Sequence, residues 1–167
     1  MSGSNKPIPT GGNDLSIIRV FKAPRDVVFK AWTEPDRMAR WLSLRGFTVV
    51  HELFDLRPGG AYRSCMRAPD GAENWLRGVY REVVKPERLV FTHAWEREDG
   101  SASPETLVTV NFVDLGGATE MTFHQAGFET TNARDGHRDG WSQSFDNLGD
   151  YLATTRDDKG MKVHDGR

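Results

Sequence analysis

The sequence predicts an α+β fold in which a seven-stranded, curved antiparallel sheet wraps around a long C-terminal helix. Three observations carry this expectation: a β-branched run followed by two short helical stretches, six period-two segments parted by Gly and Pro turns, and a closing apolar ridge of helical period. The chain has 167 residues, enough for one domain with a substantial core, and a formal charge of −2 with Lys and Arg interspersed among Asp and Glu. No basic face is left to neutralise phosphate, which argues against nucleic acid as a partner. No stretch approaches the roughly 20 apolar residues of a spanning helix, so no membrane association is expected. The single cysteine, Cys65, can form neither an internal disulfide nor a thiolate cluster, which suits a reducing, cytoplasmic interior.

Residues 1–13 (MSGSNKPIPTGGN) hold Gly and Pro but no apolar run, and read as a flexible leader to a domain spanning 14–153. Leu15 to Phe21 is rich in β-branched and aromatic residues and reads as a strand; Pro24 then opens a helix. In that helix Val27, Val28, Ala31 and Trp32 form one apolar stripe, and Asp26 sits where the helix dipole favours an anion. After Thr33-Glu34-Pro35, a second short helix over 36–41 offers Met38, Trp41 and Leu42 to the interior.

From Phe47 the apolar period changes to two, with strands expected near 47–55, 60–68, 73–84, 88–97, 105–114 and 118–126. The breaks between them contain Pro58-Gly59-Gly60, Asp70-Gly71, Pro86, Asp99-Gly100 and Gly116-Gly117, in which Gly supplies positive φ and Pro fixes φ near its turn value. Such short connections favour antiparallel pairing of neighbours. After Gly127 a helix returns, with Trp141, Phe145, Leu148 and Leu152 at i, i+4, i+7 and i+11, opposed by Gln143, Asp146, Asn147 and Asp150. The polar segment 134–140 reads as the mouth of this helix, initiated by Asp, with entry-loop recognition as the alternative, and 154–167 reads as a flexible tail.

Alternation assigns the faces of most strands. Val108, Val110 and Phe112 should look inward, as should Met121 and Phe123, which sends His124 outward. Tyr62, Ser64 and Met66 should also look inward, because the opposite choice would bury Arg63 and Arg67 unpaired; Cys65 then faces outward as an inert residue. The strand over 88–97 is ambiguous: Phe91, His93 and Trp95 share one face, Val90, Thr92 and Ala94 the other, and either suits the interior. With the aromatic face inward, desolvation would keep the His93 imidazole neutral, able to orient a ligand or act as a base. The five histidines show no HExxH and no helical pairing, so no metal is expected; no phosphate loop or GxSxG elbow occurs.

Several linked motifs, in sequence order, carry a resemblance. RVFKAPRDVVFKAWTEPDRMARWL, RPGGAYRSCMRAPDG, GVYREVVKPERLVFTHAW, ETLVTVNFVDLGGATEMTFHQAGF and GWSQSFDNLGDYLA resemble the START-like (SRPBCC) superfamily. Within it they are similar to the bacterial family homologous to the C-terminal domain of the activator of the heat-shock-protein-ninety ATPase, over about residues 14–153. The resemblance implies the helix-grip fold, a deep hydrophobic pocket between sheet and C-terminal helix, and no common cofactor. It implies no single reaction, since function resides in sites rather than in the fold.

The leading expectation is binding of a small hydrophobic or aromatic ligand in that cavity. The candidate lining comprises Trp32, Trp41, Phe54, Tyr62, Ser64, Met66, Tyr80, Phe91, His93, Trp95, Val108, Val110, Phe112, Met121, Phe123, Trp141, Phe145 and Leu148, with Tyr62, Ser64, Tyr80 and His93 as orienting polar groups. No residue is assigned as catalytic or as a metal ligand. Two alternatives stand beside it: a cyclase- or hydrolase-type enzyme using His93, and a protein-interaction module acting on a chaperone or as a homodimer.

Overall fold

The computed structural model describes residues 13–164, with side chains through 155. The expected leader, apart from Asn13, lies outside the described residues, as do the side chains of the expected tail beyond 155. The elements run β1 (Leu15–Phe21), α1 (Arg25–Thr33), α2 (Pro35–Met38), β2 (Thr48–Phe54), β3 (Ala61–Arg67), β4 (Glu73–Val84), β5 (Arg88–Trp95), β6 (Thr106–Asp114), β7 (Thr119–Ala126) and α3 (Thr131–His164). They form one antiparallel sheet in the order β1-β7-β6-β5-β4-β3-β2. β2 through β7 pair with their neighbours in sequence, while β1 pairs with β7, so α1 and α2 carry the chain from one edge of the sheet to the other. The α+β helix-grip expectation holds, and every strand falls close to its expected place.

The helices differ from expectation at their ends. α2 is a single turn at Pro35–Met38, shorter than the expected 36–41. α3 begins well before Trp141, because the Thr130 hydroxyl accepts the Ala133 N–H at 3.0 Å and caps the helix. Asp135 and Asp139 therefore lie within α3 and do not initiate it. Gly136 and Gly140 weaken helix propensity in this stretch, which reads in sequence as the polar mouth of the helix. Tertiary bonds offset that weakness, among them Arg138 to the Ser16 carbonyl.

The expected strand faces are observed. Val108, Val110, Phe112, Met121 and Phe123 are all essentially buried, and His124 faces out, with its Nε2 3.1 Å from an Asp14 carboxylate oxygen. Cys65 is buried although it lies on the outer face, flanked in register by Val50 and Trp75. β5 is buried on both faces from Leu89 to Ala94, which is why its alternation could not set its phase. The Phe91, His93 and Trp95 face turns toward the helices: Phe91 meets Trp32, His93 meets Trp141 and Trp95 meets His137.

The core centres on Trp32 of α1. Its ring lies 6.0 Å from both Trp141 and Phe145 and 6.5 Å from Phe112 and Phe123, joining helix and sheet into one aromatic cluster. Arg19 of β1 clamps α3 from the edge, bonding the Asp146 carboxylate at 2.9 Å and the Ser142 carbonyl at 3.2 Å.

Candidate functional site

Toward its N-terminal end α3 stands away from the sheet and leaves a cleft of about 480 Å³, partly open to solvent. Small side chains on the helix make the space. Ala133, Gly136, Gly140 and Ser144 face the cleft, and a Cβ placed on either glycine would meet nothing within 4 Å. His137 and Trp141 complete the helical wall.

The opposite wall is Met66 of β3, Asn74 of β4, and His93 and Trp95 of β5; the third is the segment after α2, through Leu42, Ser43, Leu44 and Phe47. Ser43 holds φ at 114°, a region costly to a residue with a side chain, and its neighbours fix it there. Its N–H donates to the Ser144 hydroxyl at 2.9 Å, and its carbonyl accepts from that hydroxyl at 3.2 Å and from the Asn147 amide at 3.1 Å. The third wall is thus pinned to α3, while no described residue hydrogen-bonds the buried Ser43 hydroxyl.

Two histidines meet at the inner end of the cleft. His93 is 4% exposed, and among the described residues only its own backbone hydrogen-bonds its imidazole. Burial, reinforced by the nearby His137, holds its pKa down to about 3, so the ring is neutral at ordinary pH. His137 has its pKa lowered by burial too. Its tautomer is fixed: Nδ1–H donates to the Ala133 carbonyl at 2.8 Å, and Nε2 accepts from the Trp95 indole N–H at 3.0 Å. His93, Trp95, Ala133 and His137 also border a second cavity of about 130 Å³, walled beyond them by Ser103, Pro104, Thr106 and Phe128.

A buried chain of hydrogen bonds sets Trp141. Its indole N–H donates to Gln125 Oε1 at 2.8 Å, Gln125 Nε2 donates to the Thr106 hydroxyl at 2.9 Å, and that hydroxyl donates to the His93 carbonyl at 3.1 Å. The cleft's helical and strand walls are therefore mutually oriented by satisfied polar groups.

Of the residues expected to line a cavity, Met66, His93, Trp95 and Trp141 border the large cleft. Phe54, Tyr62, Ser64, Tyr80 and Phe91 gather around a void of only about 20 Å³ that His93 and Trp141 also touch. Two of the expected orienting groups there are already engaged: the Tyr62 hydroxyl donates to the Thr92 carbonyl at 2.6 Å, and Ser64 bonds His51 at 2.8 Å. Burial raises the Tyr80 phenol well above its usual pKa, so it stays protonated. Trp32, Trp41, Val108, Val110, Phe112, Met121, Phe123, Phe145 and Leu148 border none of these spaces and pack as core.

The sequence reading did not anticipate Asn74, Gln125 or the 43–47 wall, and it placed His137 and the glycines of α3 in the helix mouth without making them cavity lining. Two signals were present. Ala133 and His137 extend the ridge of Trp141 backwards by steps of four, and Gln125 continues the inward face of Met121 and Phe123. Chemically the arrangement can enclose a flat apolar molecule and offer it a few uncharged polar contacts. Among the described residues neither imidazole hydrogen-bonds a carboxylate, and no group of three or more His, Cys, Asp or Glu could hold a metal ion. No described helix is long and apolar enough to cross a membrane.

Comparison with known proteins places this geometry among relatives. The family described as Activator of Hsp90 ATPase homolog 1-like protein matches residues 22–153. A crystal structure from Chromobacterium violaceum shares 26% identity at a TM-score of 0.74, covering 84% of this chain and 96% of that one. A protein of Rhodobacter sphaeroides shares 27% identity at a TM-score of 0.72, covering 89% of this chain and 98% of its own. The structure titled AHSA1 from Silicibacter pomeroyi, 23% identical with a TM-score of 0.78, covers 85% and 99% and likewise has this fold. No curated protein matches the chain.

Proposed function

The chain belongs to the Activator of Hsp90 ATPase homolog 1-like family, and from that premise we propose that it binds a small hydrophobic or aromatic molecule in the cleft between sheet and α3. The observation that supports this reading is the hollow itself. About 480 Å³ lies within the roughly 300–1,000 Å³ usual for small-molecule sites, and the walls are mainly apolar and aromatic with a few convergent polar groups. On this reading residues 14–153 form the binding domain, the ligand enters beside the N-terminal half of α3, and the protein works in the cytoplasm, where its one cysteine, buried Cys65, stays reduced.

Trp95 and Trp141 flank the cleft, so an occupant should change tryptophan emission. Titration with a panel of uncharged aromatics, naphthalene among them, is expected to quench fluorescence saturably at micromolar concentrations. A flat response across the panel, with the protein folded by circular dichroism, would remove the proposal.

A further inference from the structure

Resting on that reading, we propose that the cleft selects an uncharged aromatic ligand carrying a hydroxyl group, which hydrogen-bonds the His93 imidazole. The first observation is what the walls lack: none of the residues lining the cleft is Asp, Glu, Lys or Arg. A carboxylate or ammonium buried there would lose its hydration with no opposite charge in the lining to replace it, at a cost of several kcal/mol in general. A ligand whose charge must sit inside the cleft is therefore disfavoured by the same walls that welcome a neutral ring.

The second observation is that the polar groups in the lining differ in availability. His137 has both ring nitrogens committed, to Ala133 and Trp95, and the Ser144 hydroxyl is committed to Ser43. His93 is buried, lies where these three cavities meet, and among the described residues only its own backbone hydrogen-bonds its ring, which leaves one nitrogen for a ligand; the Ser43 hydroxyl, also unbonded among the described residues, borders the large cleft but neither smaller cavity. A neutral imidazole presents one N–H and one bare nitrogen. A hydroxyl both donates and accepts, so it satisfies whichever nitrogen faces the cleft. The rings of Trp95, His137 and Trp141 lie within 5.5–6.3 Å of one another or of His93, which suits a flat aromatic body.

The test is a matched series of probes on the full chain, followed by calorimetry: naphthalene, 2-naphthol and 2-naphthoate, with wild type and His93→Leu. In wild type 2-naphthol should bind and 2-naphthoate should bind at least about tenfold more weakly. The ratio of naphthol to naphthalene affinity should fall about three- to tenfold in His93→Leu, the range for one neutral hydrogen bond. As a readout independent of the variant's folding, 2-naphthol but not naphthalene should shift the His93 imidazole nitrogen resonances of wild type. Equal binding of naphthol and naphthoate, an unchanged ratio in His93→Leu, or unmoved His93 resonances each overturn the selectivity claim while leaving a binding cleft in place. Failure of all three probes to bind removes the cleft reading itself.

Discussion

From Phe145 to Leu152, α3 meets the sheet through solid aromatic and aliphatic packing; from Ala133 to Ser144 the same helix faces the same sheet across an open cleft. Two local differences account for the contrast. Trp32 of α1 fills the middle layer beside Phe145, touching Phe91, Phe112 and Phe123 as well, so no gap survives there. Farther along, the helix presents Ala, Gly and Ser where bulk would be needed to reach β3, β4 and β5. One stretch of α3 secures the fold along its whole inward face, and the other does so through Trp141 and a few hydrogen bonds, which leaves the space beside its small residues available for a ligand.

The sharpest way to break this division is to attack the packed half. Phe145 is fully buried, and Phe145→Ala should cost about 3–5 kcal/mol in urea unfolding, while the protein that stays folded binds naphthalene nearly as wild type does. A loss of naphthalene affinity larger than the loss of stability would place Phe145 in the cleft and blur the two halves. Gln125→Leu probes the seam between them: it strands the Trp141 indole N–H and should cost about 1–3 kcal/mol, and a variant as stable as wild type would mean that the chain of bonds does not orient the wall.

Titration sharpens the comparison further. The His93 pKa of about 3 in the fold lies below the ordinary 6.5, so between those values the unfolded chain binds the extra proton. Stability should be unaffected by this group above about pH 6.5 and should fall as pH drops toward 3, at up to about 1.4 kcal/mol per pH unit. His137 adds to the loss in the same direction. In His93→Leu the slope between pH 6 and 4 should be visibly shallower; identical slopes would mean that the imidazole is solvated in the fold. The smallest effect is expected at Gly140, where a Cβ meets open space: Gly140→Ala should stabilise by about 0.5–1 kcal/mol through helix propensity, and destabilisation would show that the space is filled.

The packed half was legible in the sequence because its signals are local and periodic. Phe145, Leu148 and Leu152 continue the ridge that Trp141 opens at the edge of the cleft, and the strands of β6 and β7 alternate cleanly. The hollow half was legible only as an expectation that some space exists. Nine of the residues expected to line it are core instead, because an apolar inward-facing side chain looks the same in sequence whether a void or a ring lies opposite. The residues that open the cleft were hidden for the converse reason. Gly136 and Gly140 fall within the polar segment read as the helix mouth, and their effect depends on what stands across from them in space. His93 was singled out from its neighbours on β5, yet its phase needed the helix contact with Trp141 to settle.

The account depends most on the emptiness beside Gly140, and the most direct measurement is titration of naphthalene into Gly140→Phe. The added ring should occupy the cleft, leave the thermal midpoint at or near that of wild type, and reduce naphthalene affinity at least about tenfold. A folded Gly140→Phe that binds naphthalene as tightly as wild type would contradict it.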